Sequence, residues 1–469
     1  MKMQEPPFRM LRRPEPGSLA GRRVLVLGLG ASGLSAARWI DAAGGQVRVA
    51  DTRSEPPQAG ALAGRVPRAE HRRGTFDGTL LDGIDLLCIS PGLALTQPVV
   101  RDALARGIPV VGDIELFAWH VRREQPAARV IAITGTNGKT TVTSLAGHLL
   151  RSAGVDCEMA GNIGPAALDA LSARASPPAV WVLELSSYQL ETTWSLAPDA
   201  ATLLNLSEDH LDRYAGMEHY GAAKARIFAG ARSQVVNRDD SAAAACFDPV
   251  PGAATFGLGV PAGERDFGVR DVGGRAWLAQ GSRGILPVDE LPIAGGHNVA
   301  NALAALALCS AIGVDAGGLA AGLRGFKGLP HRLQRVRTLR GVDWYDDSKG
   351  TNVGAAVAAM QGLGRTVVLI AGGDGKGQDF GPLALAAADH ASCVLLIGRD
   401  AALIAASLKD QGVAHEHCGT LEEAVRRAAA IAEPGQCVLL SPACASFDMF
   451  RDYRHRGEAF ALAVAALEG

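Results

Sequence analysis

The middle of the sequence contains a glycine-flanked lysine whose surroundings could bind phosphate. Residues 130–133 are apolar, residues 141–150 have the apolar spacing of an amphipathic helix, and the segment between them reads TGTNGKT. A strand-to-helix turn presents backbone N–H groups where the helix dipole favours an anion. Lys139 and Thr140 follow the glycine directly, which suits a phosphate contact and a metal-bound oxygen. We therefore expect this loop to bind ATP, although its G-x-x-G-K-T spacing is shorter than the usual motif.

Downstream of the loop, two predicted strands carry residues that could hold magnesium. Glu184 lies in the strand AVWVLELSS, and Asp209, His210 and Asp212 lie in an acidic turn after the strand in AATLLNLSEDHLDRY. Carboxylates at strand ends beside a phosphate loop are where magnesium is held. Two alternatives stay open: Glu184 is a charge at a sheet edge, or His210 is no ligand, because imidazole is unusual for a hard cation.

The N-terminal part carries a second glycine pattern, typical of dinucleotide-binding folds. GLGASG at residues 28–33 joins the predicted strand RRVLVLG to a helix, and the next strand ends at Asp51. A further buried strand, IDLLCIS, breaks at Ser90-Pro91-Gly92, a turn where ligands meet the carboxyl ends of parallel strands. The residues alone allow NAD or a different nucleotide diphosphate, because both need the glycines and the acid.

The C-terminal part alternates strands and helices again, and each strand ends in a polar turn rich in glycine or serine. Such turns line the ligand crevice of a doubly wound sheet. Arg332, Lys349 and Lys376 lie in these turns, either as ligand contacts or as solvated loop charges. Asn298 stands at the start of a buried helix, where its amide could face a base or satisfy the helix cap.

The whole chain is longer than one hydrophobic core usually allows. Its 469 residues predict an α/β protein with three domains: a Rossmann-like domain at 1–118, a central P-loop ATPase-like domain with a mostly parallel sheet at 119–328, and a Rossmann-like α/β domain at 329–469. A net charge of −2 does not indicate binding to nucleic acid. No apolar run reaches the ~20 residues of a membrane span. Eight cysteines without a C-x-x-C pair, and no apolar leader, predict a cytoplasmic protein with reduced core cysteines.

Eight motifs resemble, in order and spacing, those of the Mur ligases, the ATP-dependent amide ligases of peptidoglycan precursor synthesis. They are TGTNGKT, LELSSYQLE, EDHLDRY, GGHN, LPHR, DDSKGTN, GGDGKG and SPACASFD. The last four, with GLGASGLS near the N-terminus, look most like the members that add D-glutamate. The resemblance implies a monomer that uses ATP and two magnesium ions to join D-glutamate to UDP-N-acetylmuramoyl-L-alanine through an acyl phosphate, without nucleic acid or membrane insertion.

The resemblance also implies roles for particular residues. Lys139, His210 and Lys224 would act in catalysis, and Thr140, Glu184 and His210 would hold magnesium. Lys224 would be a further ligand if carbon dioxide carbamylated its amine, whereas the sequence GAAKARIF by itself suggests a helix-surface lysine. The implied ATP contacts are Gly135, Thr136, Asn137, Gly138, Lys139, Thr140, Thr141, Asn298, Arg332 and Asp347.

The other implied contacts belong to the two remaining substrates. Those for the UDP-linked substrate are Gly30, Ala31, Ser32, Gly33, Asp51, Thr52, Arg53, Ser90, Pro91, Gly92 and Asn162. Those for D-glutamate are Lys349, Thr351, Lys376, Ser446, Phe447 and Tyr453. Tyr453 replaces an expected phenylalanine, and Gly350 a familiar alanine. Because ATP would lie between the second domain and the D-glutamate contacts of the third domain, we expect the third domain to rotate onto the site.

Three other assignments share part of this pattern. A nucleotide-regulated binding protein or dehydrogenase would need the first two glycine motifs without the basic turns of the C-terminal part. Folylpolyglutamate synthases have the phosphate loop and form amides in the same way, but the front domain and SPACASFD speak against them. The Mur ligase that adds L-alanine also has a glycine-rich front end and is the stronger rival. Phosphate release from ATP, measured with single amino acids, would separate these assignments.

Overall fold

The computed structural model describes residues 6–210 and 213–468, which form three sheets flanked by helices. Most neighbouring strands are parallel, so the predicted α/β class is confirmed. Among the described residues, no helix is both long and apolar enough to cross a membrane. The cysteines are free thiols, and all except the half-buried Cys246 are buried. Short 3-10 helices lie at Pro7–Met10, Gly78–Leu81, Arg226–Phe228, Val288–Glu290 and Ala316–Leu319.

The first sheet is parallel throughout and lies in the N-terminal domain. Its strands are β1 (Arg23–Leu27), β2 (Gln46–Asp51), β3 (Glu70–Arg73), β4 (Leu86–Ile89) and β5 (Val110–Val111). The helices of this part are α1 (Ala31–Ala42), α2 (Ala59–Arg65), α3 (Pro98–Ala105) and α4 (Asp113–Glu124). The strand order is β3-β2-β1-β4-β5. The chain therefore changes direction across the sheet between β1 and β4, the place where a doubly wound sheet binds its ligand.

The second sheet is parallel from β7 to β12 and antiparallel at its other edge. Its strands are β6 (Arg129–Thr134), β7 (Cys157–Gly161), β8 (Val180–Glu184), β9 (Ala200–Leu203), β10 (Ser233–Asn237), β11 (Ala254–Phe256), β12 (Phe267–Val272), β13 (Arg275–Gln280) and β14 (Arg283–Pro287). The helices are α5 (Lys139–Ser152), α6 (Ala167–Ala173), α7 (Ser187–Leu190), α8 (Met217–Ala225), α9 (Ser241–Ala244), α10 (Gly296–Ala311) and α11 (Ala320–Gly325). The order β14-β13-β12-β11-β10-β9-β6-β8-β7 places β6, which leads into the phosphate loop, between β8 and β9.

The third sheet has the order β15-β16-β20-β17-β18-β19 and is parallel except for the pair of β15 with β16. Its strands are β15 (Gln334–Leu339), β16 (Val342–Asp346), β17 (Val367–Gly372), β18 (Ala391–Ile397), β19 (His415–His417) and β20 (Cys437–Leu440). Its helices are α12 (Val353–Leu363), α13 (Gly381–His390), α14 (Ala401–Asp410), α15 (Leu421–Ile431) and α16 (Tyr453–Ala465).

The first two sheets share a hydrophobic core, whereas the third has its own. Val24 in β1 and Trp181 in β8 belong to one buried cluster, and helix α4, which contains residues 118 and 119, connects the two sheets. The buried clusters of the third sheet contain described residues from 333 onward. The third domain is therefore held to the others by surface contacts, and its rotation onto the site stays a prediction.

Candidate active site

The phosphate loop is fixed by a residue that follows β9. The backbone N–H of Asn137 donates to Oδ1 of Asn205 at 2.8 Å, and Nδ2 of Asn205 donates to the Asn137 carbonyl at 3.1 Å. Gly138 adopts φ +81°, and a Cβ at this position would lie 2.6 Å from Oδ1 of Asn301. The loop therefore needs glycine here and keeps its amides oriented toward an anion. Asn205 was not among the residues predicted from the sequence, although a polar side chain after a buried strand was a signal.

Two lysines donate hydrogen bonds to backbone carbonyls of this loop. Nζ of Lys139 donates to the carbonyls of Gly135 and Thr136, both at 2.8 Å, and Nζ of Lys224 donates to the Gly135 carbonyl at 2.7 Å. Lys224 is 1% exposed, so the suggestion of a helix-surface lysine is wrong. Burial lowers the pKa of Lys224 well below its usual value, and the charge of Lys139 lowers that pKa further. Burial also lowers the pKa of Lys139.

Glu184 provides a carboxylate beside the loop that fits a cation. Asn162 donates to Oε1 of Glu184 at 2.7 Å, while Oε2 is buried without a hydrogen-bond partner among the described residues. A buried carboxylate oxygen without a partner is costly unless a cation completes it. Thr140, at the start of α5, is half-buried on the same loop.

His210 lies in the segment after β9 and is held in a left-handed conformation with φ +56°. Its Nε2 is 3.7 Å from Oδ2 of Asp209, and its ring centroid is 5.1 Å from that of Tyr188. Burial lowers the pKa of His210, which favours the neutral imidazole that metal ions bind. Asp212 lies outside the described residues. Within those residues no cluster of three or more His, Cys, Asp or Glu side chains is placed for a metal ion, and the predicted set includes only two such residues.

A cavity of about 320 Å³ lies between the central and C-terminal domains, beside the phosphate loop. Six predicted ATP contacts line it, although they come from distant parts of the chain: Asn137, Gly138, Thr141, Asn298, Arg332 and Asp347. Asn298 lies in the first turn of α10 rather than at its cap, which is Gly295. Asp347 accepts from Oγ of Ser441 at 2.7 Å, and burial raises its pKa to about 7.

A second cavity, of about 360 Å³, lies at the first sheet between the ends of β1 and β4. Nine predicted contacts for the UDP-linked substrate line it: Gly30, Ala31, Ser32, Asp51, Thr52, Arg53, Ser90, Pro91 and Gly92. Gly33 lies behind this wall, where a Cβ would be 1.9 Å from the Gly28 carbonyl. The carboxylate of Asp51 accepts from the backbone of Leu29 at 2.7 Å, and the Arg53 guanidinium lowers its pKa.

Asn162 and Arg213 differ in how they relate to this second cavity. Asn162, a predicted contact for the UDP-linked substrate, does not line the cavity and instead donates to Glu184. Arg213 of the central domain donates to the Pro91 carbonyl at 3.2 Å and to Glu191 at 2.8 Å, and its guanidinium lies over the Tyr188 ring. Arg213, to which no role was assigned from the sequence, therefore links the central domain to a residue that lines the second cavity.

The predicted D-glutamate contacts form two groups in the C-terminal domain. Lys349 lies with Nζ 4.0 Å from the ring centroid of Tyr453, and burial with nearby cations lowers its pKa to about 8. Lys376 reaches across the domain boundary, where Nζ is 3.9 Å from Oδ1 of Asp209. Thr351 is half-buried near Lys349.

The second group follows β20. Ser446 is buried and Phe447 is 73% exposed. Asp374 and Ala445 exchange backbone hydrogen bonds of 3.0 and 2.8 Å, so the turn that carries Lys376 and the turn before Ser446 are held together. The structure thus brings the turns of both groups to the same end of the third sheet, while the Phe447 side chain points into solvent.

A phosphate loop that faces Arg332 and Lys349 across a domain boundary can position and neutralise a phosphoryl group during its transfer from ATP. Family models for Mur ligases match three parts of the chain: the MurD-like N-terminal domain at residues 22–112, the middle domain at 133–309 and the glutamate ligase domain at 331–444. The chain belongs to the Mur ligase family.

Relatives and solved structures agree with this assignment. A protein named UDP-N-acetylmuramoylalanine–D-glutamate ligase from Nitrosospira multiformis is 53% identical over 457 residues, covering 96% of this chain and 97% of the relative. A protein of the same name from Nitrosomonas europaea is 51% identical, with the same coverage. MurC from Thermotoga maritima has a TM-score of 0.58 at 19% identity, covering 95% of this chain and 99% of that one. MurF from Acinetobacter baumannii has a TM-score of 0.58 at 19% identity, covering 94% and 93%. The two structures share the fold.

Proposed function

We propose that this enzyme adds D-glutamate to UDP-N-acetylmuramoyl-L-alanine at the expense of ATP. Relatives at about 50% identity carry the name of that activity. The structural observation behind the proposal is that one cavity is lined both by the phosphate loop, through Asn137 and Gly138, and by Lys349, a predicted D-glutamate contact. A phosphorylated carboxylate formed at the loop would thus lie beside the place where a second substrate is bound.

The proposed reaction has two chemical steps. The alanine carboxylate attacks the γ-phosphorus of ATP, ADP leaves, and an acyl phosphate forms. The D-glutamate amine then attacks the acyl carbon, and the tetrahedral intermediate expels phosphate and loses a proton to give the amide. Lys139 and the loop amides neutralise the β- and γ-phosphates, which lowers the repulsion between two anions.

Magnesium fits the residues around the loop. Glu184 with its unpartnered Oε2, the Thr140 hydroxyl and His210 are the proposed ligands, and two ions would add positive charge at the phosphates. Lys224 as an ammonium would repel a cation. Its buried amine with a lowered pKa is suited to react with carbon dioxide, and the resulting carbamate would be an anionic ligand.

The other substrates occupy the other domains in this proposal. The UDP moiety binds in the cavity lined by residues 30–32, 51–53 and 90–92, with Gly33 behind its wall, and Asn162 lies toward the reacting end. Lys349, Thr351 and Lys376, with Ser446, Phe447 and Tyr453, bind the two carboxylates of D-glutamate. Because one chain supplies residues for every substrate, we propose a monomer, and its free thiols suit a cytoplasmic location.

Phosphate release from ATP tests this proposal. We expect release to require UDP-N-acetylmuramoyl-L-alanine and D-glutamate together, with L-glutamate a poor substitute because a clamp on two carboxylates misplaces the amine of the mirror image. The control omits the amino acid. Equal rates with L-glutamate, or L-alanine addition to UDP-N-acetylmuramate, would contradict the assignment.

A further inference from the structure

Asn137 in the phosphate loop and Asn352 in the C-terminal domain exchange two hydrogen bonds across the domain boundary. Nδ2 of Asn137 donates to Oδ1 of Asn352 at 3.2 Å, and Nδ2 of Asn352 donates to Oδ1 of Asn137 at 3.0 Å. Asn352 is 4% exposed. We propose that Asn352 is a positioning residue, which fixes the turn that carries Lys349 and Thr351 relative to the phosphate loop.

On the central side, the partner of Asn352 is rigid. Both backbone groups of Asn137 are hydrogen bonded to the side chain of Asn205, so the position of Asn137 follows the central sheet. Its side chain extends toward the C-terminal domain. A residue that is hydrogen bonded to that side chain is therefore fixed relative to the phosphate loop.

On the other side, Asn352 is fixed by its role in helix α12. Its Oδ1 also accepts from the backbone N–H of Ala355 at 2.8 Å, which makes Asn352 the N-cap of that helix. The turn before it carries Lys349 and Thr351, and the Lys349 N–H donates to the His331 carbonyl at 3.1 Å. The side chain cannot leave Asn137 by rotating without uncapping α12, so the amide pair breaks when the turn moves.

Helix α12 also lies close along the central domain. A Cβ on Gly354 would be 3.0 Å from Oγ of Ser207, and Nδ1 of His297 is 3.2 Å from the Ala358 carbonyl. Because the third domain has its own core, such surface contacts determine its orientation. The reciprocal amide pair touches the phosphate loop directly.

This inference rests on the proposed function and leads to a specific kinetic pattern. ATP and D-glutamate both need the assembled boundary, whereas the UDP-linked substrate binds at the first sheet. If a variant populates the assembled state less, the apparent affinities for ATP and D-glutamate fall by a common factor. The affinity for the UDP-linked substrate stays the same.

Asn352→Ser tests the pattern, because serine caps a helix but its side chain is too short to reach Asn137. We expect KM for ATP and for D-glutamate each to rise on the order of tenfold, the effect of losing two modest hydrogen bonds. KM for the UDP-linked substrate should not change. The matched control is Thr420→Ala, which removes the N-cap of α15 in the same domain and should lower the unfolding temperature without changing any KM.

Unchanged KM values in Asn352→Ser, or an equal rise for all three substrates, would overturn the inference. If the serine variant does not fold, Asn352→Asp keeps the capping oxygen and cannot donate to Asn137. Small-angle scattering with a non-hydrolysable ATP analogue gives a second readout: the variant should have a larger radius of gyration than the wild type, and an equal radius would contradict the proposal. Scattering needs no turnover, so absence of D-glutamate-dependent phosphate release in the wild type would refute the proposed function alone.

Discussion

Lys139 and Lys224 donate to the same acceptor, the carbonyl oxygen of Gly135, at 2.8 and 2.7 Å. Burial is the main cause of the lowered pKa of each lysine; the charge of Lys139 lowers the pKa of Lys224 further, and that of Arg332 lowers the pKa of Lys139. The site would be relieved by polyphosphate, which pairs with the cations, or by conversion of one amine into an anion. The two lysines therefore have different expected responses to substitution.

Lys139→Ala should reduce turnover on the order of 10³-fold, because the variant loses a preorganised cation at the transferred phosphate. Binding of UDP-N-acetylmuramoyl-L-alanine, measured by isothermal titration calorimetry, should change little, since that cavity lies at the first sheet. Loss of this binding with turnover preserved would show that the sites are divided differently.

Lys224→Ala should lose most activity and recover part of it when formate or acetate is added. The reason is the sign of the charge, because a small carboxylate can replace a carbamate but not an ammonium. Steady-state rates against carboxylate concentration measure the recovery, and chloride at equal ionic strength is the control. Near-normal activity in the variant would show that Lys224 is an unmodified buried lysine. Native mass spectrometry in bicarbonate buffer would show the same if the mass of the protein contained no added carbon dioxide.

The activity toward D-glutamate should fall as the pH rises above about 8. The pKa of Lys349 is lowered from 10.5 to about 8, so its charge is present below that pH and lost above it. Since kcat/KM reports groups of the free enzyme, its profile for D-glutamate should show this pKa. Lys349→Arg keeps the charge at all these pH values and should abolish the alkaline fall, even if the whole profile is lower. If kcat/KM of the wild type and of Lys349→Arg falls at the same pH, the titrating group is not Lys349.

Arg456→Met should destabilise the C-terminal domain by about 3 kcal/mol, because it leaves buried acceptors without donors. Arg456 is 1% exposed and donates to the Ser348 hydroxyl and to the carbonyls of Ser348 and Cys444. These acceptors lie next to Lys349 and close to Ser446, so KM for D-glutamate should rise as well. Urea unfolding measures the loss.

The control for that prediction is Arg426→Met, which changes an exposed arginine on α15 in the same domain. It should leave both the free energy of unfolding and KM for D-glutamate unchanged. Equal free energies of unfolding for Arg456→Met and the wild type would mean that the buried guanidinium costs as much to desolvate as its hydrogen bonds return.

The class of fold and the local turns could be predicted from the amino-acid sequence. Strand, glycine turn and helix follow one another around Gly28–Gly33 and again around residues 135–140, and both turns are local features that backbone sterics and helix dipoles specify. Nine of the predicted UDP contacts line one cavity because parallel strands present their carboxyl ends at one sheet edge. The domain boundaries and the ligand roles of these residues stay predictions.

Contacts between residues of different elements could not be predicted in this way, because they depend on how the elements pack. Nothing in GAAKARIF shows that Lys224 is buried against Gly135, because α8 packs over the loop by contacts distant in sequence. Asn205, Arg213 and Asn352 were missed for the same reason: each is an ordinary polar residue in a turn, and its partner comes from another element or domain. Local spacing encodes the turn, whereas the packing of separate elements determines what each side chain contacts.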